Sequence, residues 1–170
     1  MEQGLVHLYA GDGKGKTTAA MGLALRALGN KKRVTVVQFL KGMPSGEADL
    51  LHQLGATVYR AENITKFVFQ MTEQEKIEAK AAYTQLLQQA ACQPTDLLVL
   101  DEACAACALE MVDVQMLKDV VQKRPEGLEL VLTGRDPAQW MIEAADYYTE
   151  MCCRKHPYEK GIAARKGIEF

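Results

Sequence analysis

The chain has 170 residues, 48% of them hydrophobic and 25% charged, with a net charge of -2 and a pI of about 5.9. That length can bury a core without disulfides or structural metals, and the composition is ordinary for a globular protein. The slightly acidic balance excludes a global basic field for nucleic acid, and no apolar stretch approaches the roughly 20 residues of a membrane span.

Residues 1–4 lead straight into an apolar run at 5–9 that predicts a first strand, so no signal peptide and a cytoplasmic location are expected. Residues 10–18 then read Ala-Gly-Asp-Gly-Lys-Gly-Lys-Thr-Thr, and the Ala-, Leu- and Met-rich stretch at 18–28 predicts a helix opening at that loop. A second strand is expected over 33–40, a short helix over 45–54 and a third strand over 57–59. Thr72 and Glu75 have capping-box spacing and open a long helix to about 91. Residues 96–101 form a nearly all-apolar strand ending in carboxylates. Asp113 caps a helix to about 123, 128–133 is another strand, Asp136-Pro137 starts another helix, and 147–152 is a final strand. Continuous apolar strands alternating with helices predict an α/β fold, a mostly parallel sheet with helices on both faces. No linker or internal repeat interrupts 1–170, so a single domain is expected.

The loop at 10–18 carries the chemistry. Gly11, Gly13 and Gly15 let the backbone turn left-handed and bring its N–H groups close to phosphate oxygens. A helix N-terminus adds unsatisfied donors and a positive dipole end. Lys16 supplies a mobile positive charge, and Thr17 a hydroxyl suited to a phosphate-bound magnesium ion. Asp12, Lys14 and Thr18 complete the candidate nucleotide-binding set. The pattern departs from the usual phosphate loop in one respect. Position 10 is Ala rather than Gly, and Gly11 leaves only three residues before Gly15.

Asp101 and Glu102 end a strand of the parallel sheet, at the edge where the loop lies, and are candidates to hold the metal together with Thr17. Glu102 could also position a water or take a proton, and Arg135, after the next strand, could neutralise phosphate charge. The five cysteines fit a reducing compartment. Cys104 and Cys107 are either small buried residues or half of a metal or redox site, and adjacent Cys152 and Cys153 suit one tetrahedral ion poorly. His7 is expected to be structural.

Several segments together resemble the P-loop corrinoid adenosyltransferases. Residues 11–20 look like that family's shortened loop, with Asp12 where Asn is usual. Residues 36–42, 132–135, 143–146, 155–158 and the tail at 161–170 are also similar, so the resemblance spans nearly the full length. It implies a recombinase-like P-loop fold and transfer of the 5′-deoxyadenosyl group of ATP to cobalt(I) of a reduced corrinoid, with release of triphosphate. Cobalt(I) is itself the nucleophile, so Lys16, Thr17 and Glu102 would act by positioning and charge stabilisation. The resemblance further implies magnesium or manganese, a homodimer and a flavoprotein electron donor. It assigns the corrinoid side to Phe67 and Phe69, the latter in place of the usual Trp. From the residues alone, rings two apart also fit one face of a core strand. Family members often carry a segment ahead of the first strand that this sequence does not show, and Ala103-Cys104 and Cys152-Cys153 depart from the usual pattern. Two other functions stay open from the residues: a nucleotide or corrinoid carrier without turnover, and a P-loop ATPase, including one acting on nucleic acid.

Overall fold

The computed structural model describes residues 3–41 and 45–169; Gly42 and Phe170, which belong to segments of the resemblance, lie outside the described residues. Among the described residues the strands are β1 (Val6–Ala10), β2 (Val34–Gln38), β3 (Thr57–Arg60), β4 (Leu97–Asp101), β5 (Glu129–Gly134) and β6 (Tyr147–Glu150). They form one all-parallel six-stranded sheet in the order β3-β2-β4-β5-β1-β6. The helices are α1 (Lys16–Gly29), α2 (Gly46–Gln53), α3 (Glu73–Ala91), α4 (Ala103–Ala108), α5 (Val114–Gln122) and α6 (Gln139–Ala144), with 3-10 turns at Val68–Gln70 and Pro157–Lys160. No helix among the described residues is long and apolar enough to cross a membrane.

Strands buried on both faces explain the unbroken apolar runs. Every residue of β2 and β4 is buried. Val36, Val99 and Val131 pack with Ala20, Ala24 and Leu51 of α1 and α2 on one face. Leu98, Leu100, Leu130 and Leu132 point the other way, onto Tyr83 and Leu87 of α3 and Leu117 of α5. Side chains alternate across the sheet, so each strand feeds two core layers.

The capping box forms as the spacing predicts: Thr72 Oγ1 accepts from the Glu75 N–H, and Glu75 accepts in return from the Thr72 N–H. Asp113 likewise accepts from the Met116 N–H. Other boundaries differ. Helix α1 opens at Lys16 rather than 18, and β2 stops at Gln38 because Leu40 takes a left-handed φ of 57°. Helix α6 starts at Gln139, not at Pro137, since Ala138 before it is still extended (φ -62°, ψ 148°) and serves as the N-cap. Strand β6 ends at Glu150. Helix α4 was unexpected: Ala-Cys-Ala-Ala-Cys-Ala is short and uniformly small, with no amphipathic period to announce it.

Candidate active site

In a parallel sheet all strands end at one edge, and there the candidate residues meet. The loop after β1 turns through Gly11 (φ 116°) and Gly15 (φ 119°), and Gly15 occupies the N-cap position of α1. No side chain caps this helix and its first turn holds no acid, so its N–H donors and positive dipole end stay available to an anion. The far wall of the loop is the exit from β6. Met151 O accepts from the Gly13 N–H at 2.6 Å, and the Met151 N–H donates to Ala10 O at 2.8 Å. A Cβ on Gly11 or Gly13 would lie 2.4 or 2.7 Å from Met151 O, which is why both positions are glycine. Asp12 is turned away from the loop's interior: its carboxylate accepts from the Cys153 N–H, and that bond holds its pKa below the usual range. Its contribution is to brace the loop, while Lys14 and Thr18 are exposed. Lys16 Nζ donates to Gly13 O at 2.7 Å, within the loop itself.

Asp101, with no exposed surface, is the hub of the site. Oδ1 accepts from Thr17 Oγ1 at 2.9 Å and from Thr133 Oγ1 at 2.7 Å. Oδ2 accepts from Lys41 Nζ at 2.6 Å and, at 3.5 Å, from Gln38 Nε2, which lies beside Asp101 in register. Glu102 follows in a left-handed conformation (φ 61°) as the N-cap of α4, and its N–H donates to Thr133 Oγ1. Burial and then the Asp101 charge raise the Glu102 pKa, against opposing pulls from Lys41, Lys16 and Arg135. Arg135 is exposed, and its charge reaches both Asp12 and Glu102.

These donors fit a hard divalent cation. Thr17, Asp101 and Glu102 offer a hydroxyl and two carboxylates, the oxygen set magnesium takes alongside nucleotide phosphates. A cation already lies against two of them, since Lys41 Nζ is also 3.4 Å from Thr17 Oγ1. Among the described residues no three His, Cys, Asp or Glu side chains form a metal group by themselves. Cys104 and Cys107 are buried in α4; burial pushes the Cys104 thiol to about 12, so it stays protonated, and its Cβ fills the space beside Gly134. His7 pairs with Glu129 and stacks on Tyr147, away from the loop.

The family profile described as ATP:corrinoid adenosyltransferase BtuR/CobO/CobP matches residues 2–170. The chain belongs to this family. Corrinoid adenosyltransferases of Pseudomonas aeruginosa and Escherichia coli are 36% and 31% identical to it, each over 99% of this chain and over 85% and 87% of their own lengths. Its fold is similar to that of a KaiC-like protein from Pyrococcus horikoshii (TM-score 0.53, 13% identity, 92% of this chain and 76% of that one), which agrees with a recombinase-type P-loop architecture.

For a corrinoid adenosyltransferase the environment of Phe67 and Phe69 is informative. Neither ring is strand core. Phe67 is 66% and Phe69 82% exposed, and the two stack with centroids 5.6 Å apart and planes within 8°. Phe67 is the N-cap of a 3-10 turn and Phe69 lies within it, not in a strand, so the core-strand expectation fails. Together with Leu40, Val68, Tyr83 and Leu109 they line a cavity of about 440 Å³. Leu40 is the residue before Lys41, so the aromatic surface and the Asp101 hub share one connection after β2. Lys41, Thr133, Gln38 and Met151 were not among the residues singled out from sequence. Gln38, Lys41 and Thr133 do lie in segments that resemble the family, which was the available signal.

Proposed function

We propose that this enzyme transfers the 5′-deoxyadenosyl group of ATP to cobalt(I) of a corrinoid across the carboxyl edge of its sheet. The observation that supports this most is the open phosphate loop and the exposed Phe67–Phe69 pair at one end of the fold, linked through Leu40 and Lys41. Main-chain N–H groups of 11–18 other than that of Gly13, which is held by Met151 O, receive the triphosphate with Lys16 and Arg135. Thr17, Asp101 and Glu102 hold a magnesium or manganese ion, which when bound adds positive charge beside the phosphates. The cobalt–carbon bond forms as the C5′–oxygen bond breaks, and the departing electron pair leaves with triphosphate. The chain therefore needs to align and to stabilise charge, and no nucleophilic side chain is required.

Phe67 and Phe69 pack against the lower face of the corrin and displace its axial ligand, easing reduction of cobalt(II). A reduced flavoprotein supplies the electron. Residues 1–170 act as one cytoplasmic domain, and the enzyme works as a homodimer. The test is incubation with ATP, magnesium and chemically reduced corrinoid. Triphosphate and a light-sensitive cobalt–carbon product are expected; ADP and phosphate would indicate an ATPase, and binding without product a carrier.

A further inference from the structure

The Lys41 ammonium has no chemical role in the reading above, yet it makes the shortest side-chain contact in the site. Its Nζ lies 2.6 Å from Asp101 Oδ2, 3.4 Å from Thr17 Oγ1 and 3.8 Å from Glu47 Oε1. Asp101 is fully buried, whereas Lys41 is 25% and Glu47 35% exposed. A buried carboxylate without a counter-charge is strongly unfavourable, so something positive must sit against Asp101 when no nucleotide is bound. Lys16 does not fill that place, because its ammonium is turned to Gly13 O. Lys41 does.

We propose that Lys41 is an internal, exchangeable cation that occupies the divalent-ion position of the nucleotide-free enzyme. This rests on the assignment of Thr17 and Asp101 as metal donors. The ammonium touches one atom of each of those residues. A divalent ion at the same two residues would meet it at contact distance, and like-charge repulsion in a largely buried setting makes the two occupants mutually exclusive. Glu47, in the first turn of α2, is the second resting place within reach of the flexible lysine stem. Free divalent ions are thereby refused, and metal is taken up only with the nucleotide, whose phosphates add the negative charge and oxygen donors that let Lys41 leave Asp101.

The experiment titrates manganese into nucleotide-free protein and reads free ion by electron paramagnetic resonance. Lys41→Met and Lys41→Gln are compared with the parent, Gln retaining a hydrogen-bond donor to Asp101 should Met unfold the chain. Manganese affinity is expected to rise at least tenfold in both, to stay at the parent level in Lys41→Arg, and to lose the gain when Asp101→Asn is added. In the parent enzyme, the Lys41 Cε resonance should move with magnesium and ATP together and stay put with magnesium alone. If affinity in the Lys41 variants is unchanged, or if that resonance ignores magnesium-ATP, while Asp101→Asn still weakens manganese binding in the presence of ATP, Lys41 is not the exchanging cation and the metal assignment stands. If Asp101→Asn has no effect on manganese binding with ATP or in the Lys41 variants, the metal assignment falls and the proposal with it.

Discussion

Replacing Thr133 with Val isolates the hydrogen bonding around Asp101 at nearly constant shape. Thr133 is buried; its hydroxyl donates to Asp101 Oδ1 at 2.7 Å and accepts from the Glu102 N–H at 2.9 Å. Valine deletes both bonds. A hydrogen bond to a charged group contributes about 1.5–3 kcal/mol, and a largely buried N–H left without an acceptor costs about 1–3 kcal/mol. The two share one hydroxyl and do not add fully, so a loss of roughly 2–4 kcal/mol is expected. For a chain of this size each kcal/mol lowers Tm by about 2–4 °C, which puts the shift at roughly 5–15 °C. Urea unfolding followed by far-UV circular dichroism measures it. Thr133→Ser keeps the hydroxyl and gives up only a methyl group, so it should cost about 1 kcal/mol. ATP affinity should fall in the Val variant alone, because Asp101 also orients Thr17 at the loop. A Val variant within about 0.5 kcal/mol of the parent, on the scale of an inert substitution, would refute the reasoning, as would a Ser variant equally damaged.

Lys16→Ala removes the mobile cation of the loop and should abolish measurable ATP binding by calorimetry; near-normal transfer at low ATP would defeat the phosphate-site assignment. Glu102→Gln should raise Tm at pH 7. A carboxyl whose folded pKa is raised binds protons more readily in the folded state, so its ionisation costs stability as pH rises through and above the ordinary carboxylate range. The gain should therefore fade as pH is lowered toward that range, while the magnesium requirement for transfer increases at neutral pH. Phe67→Ala and Phe69→Ala should leave Tm within about 2 °C, since exposed rings contribute little to stability. Transfer from cobalt(II) corrinoid with a mild reductant should drop sharply, with much of the rate restored by preformed cobalt(I). Normal formation of four-coordinate cobalt(II) by both variants, seen in absorbance spectra, would remove the rings from the corrin side.

Local chemistry was legible in the sequence. The strand–glycine loop–helix order at 5–28, the Thr72–Glu75 box and the Asp113 cap depend on residues within a few positions of one another, so their geometry follows from spacing. The acidic end of β4 was legible as well, because a buried parallel strand is an unbroken apolar run and its carboxylates stand out at the stop. Tertiary structure decided the rest. Lys41 and Thr133 reach Asp101 across sequence separations of 60 and 32, and Met151 closes over Gly13 from the far end of the chain. Those meetings depend on strand order and register, which crossover connections set and side-chain periodicity does not encode. The exposure of Phe67 and Phe69 is of the same kind. An aromatic pair two residues apart has one pattern whether it faces a core or solvent, and only the packing of the segment between β3 and α3 left these rings uncovered.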